Sequence, residues 1–371
     1  MILFPVRPMD AVMALYSEGN QELSEAIIAS LSGAVFEGGD VEPASLVQRV
    51  VARASYRILK WTTTCHHGAD NEDPGRVAYH NPLLELTGHP YARVLLGSSN
   101  GEAGHLVEGG DPMNGPYMMI APEILNIATT WDRIFLNSVQ SRDVQLRFIW
   151  ETQATCEAAK RCLEKGGSVR MKAVAAGTGL SMIVAYDRLV REGHDPERIN
   201  VKVTDREKTN IDKSRRILAK LASTRGRTTD GDSEGSISAE TEDIFEAKSG
   251  TSRSSVAPYD VVTAVGIPEY LQGFTCDTTE RCLGLEQPKE AATAEDLANR
   301  LGEMTTDSGA LIVNTCRPHA STRIMELFGK RFDYRTRKNL SALLATANFR
   351  NPRLIGSGNI YDIEVYEKGV P

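Results

Sequence analysis

The chain has 371 residues and a mass near 40.6 kDa, room for one large domain or two modest ones at ~100–200 residues each. Hydrophobic residues make up 41% and charged residues 25%, which excludes a disordered, collagen-like or disulfide-framework chain. Lys and Arg total 42 against 49 Asp and Glu, a net charge of −7, so nothing global drives the chain toward nucleic acid or an anionic membrane.

No stretch approaches the ~18–20 apolar residues of a membrane span. The start, Met1 to Asp10, carries two prolines and an arginine and lacks the basic-then-apolar layout of a secretory signal. The six cysteines (Cys65, Cys156, Cys162, Cys276, Cys282 and Cys316) form no CxxC. They read as reduced thiols of a cytoplasmic protein with no metal site.

In chain order, Asp10 to Ser32 has helical apolar spacing, interrupted at Gly19-Asn20, and Pro43 to Lys60 repeats it with Pro43 suited to a first helical turn. Residues 64 to 118 hold Cys65-His66-His67, many glycines and five prolines, the chemistry of loops. Ala121 to Lys165 returns to helix, stopped by Gly166-Gly167.

Beyond that point the pattern alternates. Val169 to Ala175 is a short apolar strand, Gly177-Thr178-Gly179 a tight turn, and Leu180 to Glu192 a helix. Ile199 to Val203 is a second strand, ending at Asp205, and Lys208 to Ser223 a second helix. Strand, glycine turn, helix, strand, acid, helix is the opening of a doubly wound parallel sheet. Ser223 to Ala239 is rich in Ser, Thr, Gly, Asp and Glu and reads as a flexible insertion within 223–256. Asp243 to Ala247 is expected as a short third strand, Tyr259 to Val265 as a buried fourth and Ala310 to Asn314 as a fifth. Helices are expected over Ala294 to Met304, Ser321 to Phe328 and Arg337 to Ala347. Leu354-Ile355 and Ile360 to Tyr366, joined through Gly356-Ser357-Gly358, predict a closing hairpin and hence one antiparallel member.

A strand ending in Ala175-Ala176-Gly177-Thr178-Gly179 and opening a helix lets a ligand approach the backbone and meet unpaired N–H groups. An acid ending the next strand, here Asp205, can accept hydrogen bonds from both ribose hydroxyls. The third glycine of a dinucleotide fingerprint is absent, as is a phosphate-binding GKS or GKT loop. Together these features point to a nucleoside-containing ligand.

The chain from about Val169 to Tyr366 resembles the class I S-adenosylmethionine-dependent methyltransferases, and within them a little-characterised bacterial group. Four elements appear in order: AVAAGTGLS (Ala173 to Ser181), Asp205, YDVVTAVGIPEYL (Tyr259 to Leu271) and SGALIVNT (Ser308 to Thr315). The resemblance implies a Rossmann-like, mostly parallel sheet with an antiparallel C-terminal strand, residues 166–371, preceded by a mainly helical cap and substrate domain, residues 1–165. It implies S-adenosyl-L-methionine held by Ala175, Ala176, Gly177, Thr178, Gly179, Asp205, Arg206, Val265 and Gly266. The family's usual motif-I acid is replaced by Ala173 and its first glycine by Ala175; the acid expected after the third strand is displaced, with Lys248 and Ser249 near its place.

Glu269 and Tyr270, after the fourth strand, are candidate catalytic residues, with a helix-start acid as the alternative reading of Glu269. His319, after the fifth, is a candidate base, with a surface histidine as the alternative. Arg133, Arg147 and Arg317 can clamp a carboxylate, or be solvated helix arginines. The expected function is methyl transfer to a small-molecule acceptor, with a homodimer as a candidate assembly. Three alternatives stand: transfer or cyclisation of the cofactor's aminocarboxypropyl chain, with methylthioadenosine as product; a nicotinamide-dependent oxidoreductase, which the missing third glycine disfavours; and non-catalytic nucleoside binding.

Overall fold

The computed structural model describes residues 21–37, 41–67, 138–224, 237–245, 258–268, 293–327 and 332–369. Among the described residues three helices precede the sheet: α1 (Gln21–Phe36), α2 (Leu46–His67) and α3 (Val139–Glu164). The cap of α2 is Ser45, whose Oγ accepts from the Gln48 N–H at 3.3 Å while Gln48 Oε1 accepts from the Ser45 N–H at 2.6 Å. This reciprocal arrangement satisfies two orphan donors. It places Pro43 before the helix and not in its first turn, and Cys65-His66-His67 fall inside α2, not in a loop. Ser138 caps α3, accepting from the Ser141 N–H at 3.2 Å.

The alternating part follows as β1 (Val169–Ala173), α4 (Leu180–Arg191), β2 (Ile199–Asp205), α5 (Lys208–Thr224), β3 (Ile237–Thr241) and β4 (Tyr259–Ala264). Then come α6 (Ala294–Met304), β5 (Thr305–Cys316), α7 (Ala320–Leu327), α8 (Arg337–Ala345), β6 (Phe349–Ser357) and β7 (Tyr361–Lys368). The strands form one sheet in the order β3-β2-β1-β4-β5-β7-β6. From β3 to β5 every pairing is parallel; β7 runs antiparallel to both β5 and β6. The mostly parallel sheet and its antiparallel C-terminal pair are those the sequence predicts.

The third strand is not where the sequence places it. Ile237 to Thr241 pairs along β2, with Ile237 and Ala239 buried, whereas Ile244 and Phe245 form a turn. A strand therefore occupies the end of the stretch assigned to the flexible insertion. Its alternation of Ile, Ala and Thr with Ser and Glu is the period-two signal of a half-buried strand, hidden by the polar composition around it.

Helix α3 lies on the sequence side of Gly166-Gly167 expected for the cap, yet its Phe148, Ile149, Ala154, Ala158 and Leu163 share one core with Met171, Ala173 and Val203 of the sheet. Burying each large apolar side chain there stabilises the fold by roughly 1.5–3 kcal/mol. A Cβ on Gly356 of β6 would lie 2.1 Å from the Trp150 ring, so glycine is what lets α3 lie against that strand. Helix α1 packs on α4 and α5, and α2 packs on α7. No helix among the described residues is long and apolar enough to cross a membrane.

Candidate functional site

The chain leaves β1 toward β2 on one side and later returns to β4 on the other, so the carboxyl ends of β1 and β4 flank the switch point of the sheet. Ligands of open α/β sheets bind in that crevice. The glycine turn lies there. Gly177 and Gly179 have φ of 58° and 61°, and a Cβ on Gly179 would approach Val203 Cγ1 to 2.5 Å. Glycine is thus required at 179 both for its backbone conformation and for contact with β2. Ala175, which stands where the resemblance has a glycine, is itself held at φ 44°. Thr178 is fully buried, and its carbonyl accepts from Ser214 Oγ at 2.9 Å, which anchors the turn to α5.

Asp205 comes to this turn as the sequence anticipates, and its present partners are specific. Oδ2 accepts from the Gly177 N–H at 2.8 Å, and Oδ1 from the Glu207 N–H at 2.8 Å. Asp205 is 6% exposed. Neighbouring Arg206 points away, exposed and beside Glu207. At the corresponding end of β4, Val265 is half-buried. Gly266 has φ 92°, and its N–H donates to Asn314 Oδ1 at 2.8 Å. A Cβ there would lie 3.7 Å from Arg147 Nη1.

Arg147 thus reaches the strand ends from α3. It is 5% exposed, and its guanidinium lies 4.7 Å from the Tyr361 ring centroid. One helical turn further along α3, Glu151 is 7% exposed and its Oε1 accepts from Ser181 Oγ, in the first turn of α4, at 2.8 Å. The sequence reading passes over Glu151; an arginine and an acid four residues apart, and so on one helix face, are the signal available. It also overlooks Asp243, because the third strand is placed too late. With β3 ending at Thr241, Glu242 and Asp243 follow it directly. Glu242 pairs with the buried Lys172 at 2.8 Å, and Asp243 Oδ1 accepts from the Phe245 N–H at 2.9 Å. Lys172 is held below the ordinary lysine value, chiefly by burial.

Arg317 and His319 follow β5. Arg317 Nη2 pairs with Asp362 Oδ1 at 3.1 Å and donates to the Gly358 carbonyl, bracing the hairpin. His319 Nδ1 accepts from the Ser321 backbone N–H at 3.1 Å. In the neutral ring the proton therefore resides on Nε2, which makes that nitrogen a donor and not a base. Burial, and then the charges of Arg53, Arg49 and Arg317, lower the imidazole pKa. Arg133, Glu269 and Tyr270 lie outside the described residues, as do Lys248 and Ser249. Among the described residues no group of three His, Cys, Asp or Glu is placed to hold a metal.

No protein-family model matches the sequence, and no curated protein does. Among solved structures the chain is similar to magnesium protoporphyrin IX methyltransferase from Synechocystis PCC 6803 with bound S-adenosylhomocysteine: 11% identity over 61% of this chain and 87% of that one, TM-score 0.38. A possible exported protein from Bordetella parapertussis is 14% identical over 87% of this chain and 97% of that one, TM-score 0.49. The CurJ carbon methyltransferase is 12% identical over 98% of this chain and 100% of that one, TM-score 0.43. The order and direction of its own strands are those of a doubly wound, mostly parallel sheet with an antiparallel C-terminal pair, the architecture that the sequence resemblance implies.

Proposed function

We propose that the protein is an S-adenosylmethionine-dependent methyltransferase acting on a small-molecule acceptor, in the cytoplasm. The observation that carries this reading is the Asp205 carboxylate held 2.8 Å from the N–H of Gly177, in a left-handed glycine turn at the switch point of the sheet. Small residues, helix N–H groups and an acid at that place suit a nucleoside.

In this reading Asp205 exchanges its bond to Gly177 for the ribose hydroxyls, and Asp243 accepts from the amino group of adenine. Ala175 to Gly179 form the cradle, with Val265 and Gly266 on its far side. A ligand anchored at β2 and crossing the turn after β1 arrives at the end of β4, beside Arg147 and Glu151. There Arg147 receives the carboxylate of the amino-acid portion and Glu151 its ammonium. When bound, S-adenosylmethionine supplies a methyl group made electrophilic by its sulfonium. The protein's own share is to align the acceptor with that methyl and exclude water. A proton acceptor is needed only where the acceptor atom must lose a proton. Glu269 and Tyr270 hold that role in this reading, since the His319 Nε2 is a donor.

Calorimetric titration of the wild-type chain with S-adenosylmethionine and S-adenosylhomocysteine tests the proposal. Binding with dissociation constants in the micromolar range is expected, and no heat from either ligand overturns it. Turnover products then separate methyl transfer, which yields S-adenosylhomocysteine, from aminocarboxypropyl transfer, which yields methylthioadenosine.

A further inference from the structure

The net charge is −7, yet one part of the molecule concentrates cations. Helix α2 carries Arg49, Arg53, Arg57 and Lys60 and no acidic residue. Its Ala52 packs into the small core formed by Val139, Cys316, Ile360 and Tyr361 at the end of β5. Arg49 and Arg53, three residues before and one after Ala52, share that side of the helix. They act electrostatically on His319, as does Arg317. Four cationic or donor side chains thus gather beside the end of β5.

Their hydrogen-bonding state is uniform. Arg49 Nε, Arg317 Nε and His319 Nε2 are all buried from solvent and all lack a hydrogen-bond partner. Arginine Nε is always a donor, and His319 Nε2 is one because Nδ1 receives the Ser321 N–H. The group therefore comprises three orphaned donors and no orphaned acceptor. Buried polar groups left without partners are uncommon and costly, by roughly 1–3 kcal/mol each. Of the cations, Arg317 is offset by Asp362. Arg49 and Arg53 form no ion pair among the described residues. The complement of such a set is an oxygen anion, which accepts several N–H bonds at once.

We infer that the acceptor carries a carboxylate or phosphate group, and that Arg49, Arg53, Arg317 and His319 bind it. That the anion belongs to the acceptor rests on the methyltransferase reading; the anion site itself does not. The Nε2–H of His319 donates to an anionic oxygen, Arg49 and Arg317 donate from Nε, and Arg53, exposed at the rim, contributes charge. The methyl-accepting atom then lies on the part of the molecule that extends from this anchor toward Gly266.

The test follows the His319 imidazole by NMR in the full chain, identified by the signal lost in His319→Gln. Inorganic phosphate and benzoate, each up to about 50 mM at constant ionic strength, serve as probes of the two anion chemistries. A saturable shift of the His319 resonance is expected, with its titration midpoint moved up as the bound anion stabilises the imidazolium. The probe that saturates at the lower concentration identifies the group. In Arg49→Gln/Arg53→Gln the anion binds at least about tenfold more weakly, while S-adenosylhomocysteine affinity is unchanged, which also reports intact folding. No saturable shift in the wild type overturns the inference, as does equal anion binding by the double variant. Failure of the wild type to bind S-adenosylhomocysteine instead removes the methyltransferase reading and leaves an anion site to be judged by the same shifts.

Discussion

Asp205 Oδ2 accepts a 2.8 Å hydrogen bond from the Gly177 N–H, joining the end of β2 to the turn after β1. One carboxylate therefore supports the turn and, in the proposed function, holds the ribose. Asp205→Ala removes the acceptor for both Gly177 and Glu207. It is expected to lower stability by about 1–3 kcal/mol and S-adenosylhomocysteine affinity by at least about tenfold. Asp205→Asn keeps one oxygen for Gly177, so it should recover much of the stability but little of the affinity. Chemical denaturation and calorimetry on both variants check the split; unchanged ligand affinity in Asp205→Asn removes the carboxylate from nucleoside binding.

The turn also contains opposite conformational errors that mutation can expose. Ala175 is held at φ 44°, where an L side chain costs about 1 kcal/mol relative to glycine. Ala175→Gly should therefore be neutral or slightly stabilising. Gly179→Ala places a Cβ 2.5 Å from Val203 Cγ1 in the same left-handed region, and should destabilise by roughly 2–3 kcal/mol. Val203→Ala should partly rescue it, because the clash is with that side chain. A thermal-denaturation double-mutant cycle with no coupling between 179 and 203 contradicts this account.

Strong local signals made most of the fold legible. Leu180 to Arg191 and Ala294 to Met304 have helical spacing with clean ends, and the second has a Thr293–Asp296 capping box. The runs around Val261 and Ile312 are apolar because both sheet faces are covered. Composition masks pattern elsewhere: Ile237 and Ala239 stand among polar residues, so the sequence places β3 too late and gives Asp243 no role. Glu151 was hidden differently. Its significance lies in contact with Ser181, 30 residues away in another element, and no local period reports that. The alternation suggests a division at Gly166-Gly167, and α3 on its N-terminal side shares a core with the sheet.

Asp143 links α3 to the β6–β7 hairpin. It is fully buried, and its carboxylate accepts from the Ile360 N–H and, at 3.3 Å, from Asn359 Nδ2. Desolvation outweighs these bonds and raises its pKa above 3.8. Between the unfolded and the raised folded value, the folded protein holds a proton that the unfolded chain has released. The contribution of this group to stability is thus fully present below the unfolded value and is lost as pH rises through the folded one. Asp143→Asn retains an acceptor oxygen and cannot ionise. Relative to wild type, its stability should therefore improve as pH is raised from about 4 to 7. Denaturant titrations across that range check the sign; a variant that loses ground as pH rises contradicts it.

Glu151 and Arg147 offer the sharpest test of how the ligand is oriented. They lie one turn apart on α3, both nearly buried, with Glu151 joined to Ser181 at the start of α4 and Arg147 beside Gly266. The helix start alone is a poor place for an ammonium, since its dipole repels positive charge. In the proposed function the carboxylate of Glu151 reverses that preference and takes the place of the motif-I acid that the resemblance leads one to expect at Ala173. Glu151→Gln keeps the size and the bond from Ser181 but removes the charge. If Glu151 receives the ammonium, S-adenosylhomocysteine should bind about tenfold or more weakly, in line with ~1.5–3 kcal/mol for a charge-assisted bond. Methylthioadenosine, which has the nucleoside but no amino acid, should bind almost as before. A packing role makes the opposite prediction: both ligands weaken together, because a disturbed α4 start would loosen the turn that cradles the shared nucleoside. Calorimetry with the two ligands on wild type and variant separates these outcomes, and an unchanged affinity ratio removes Glu151 from amino-acid recognition.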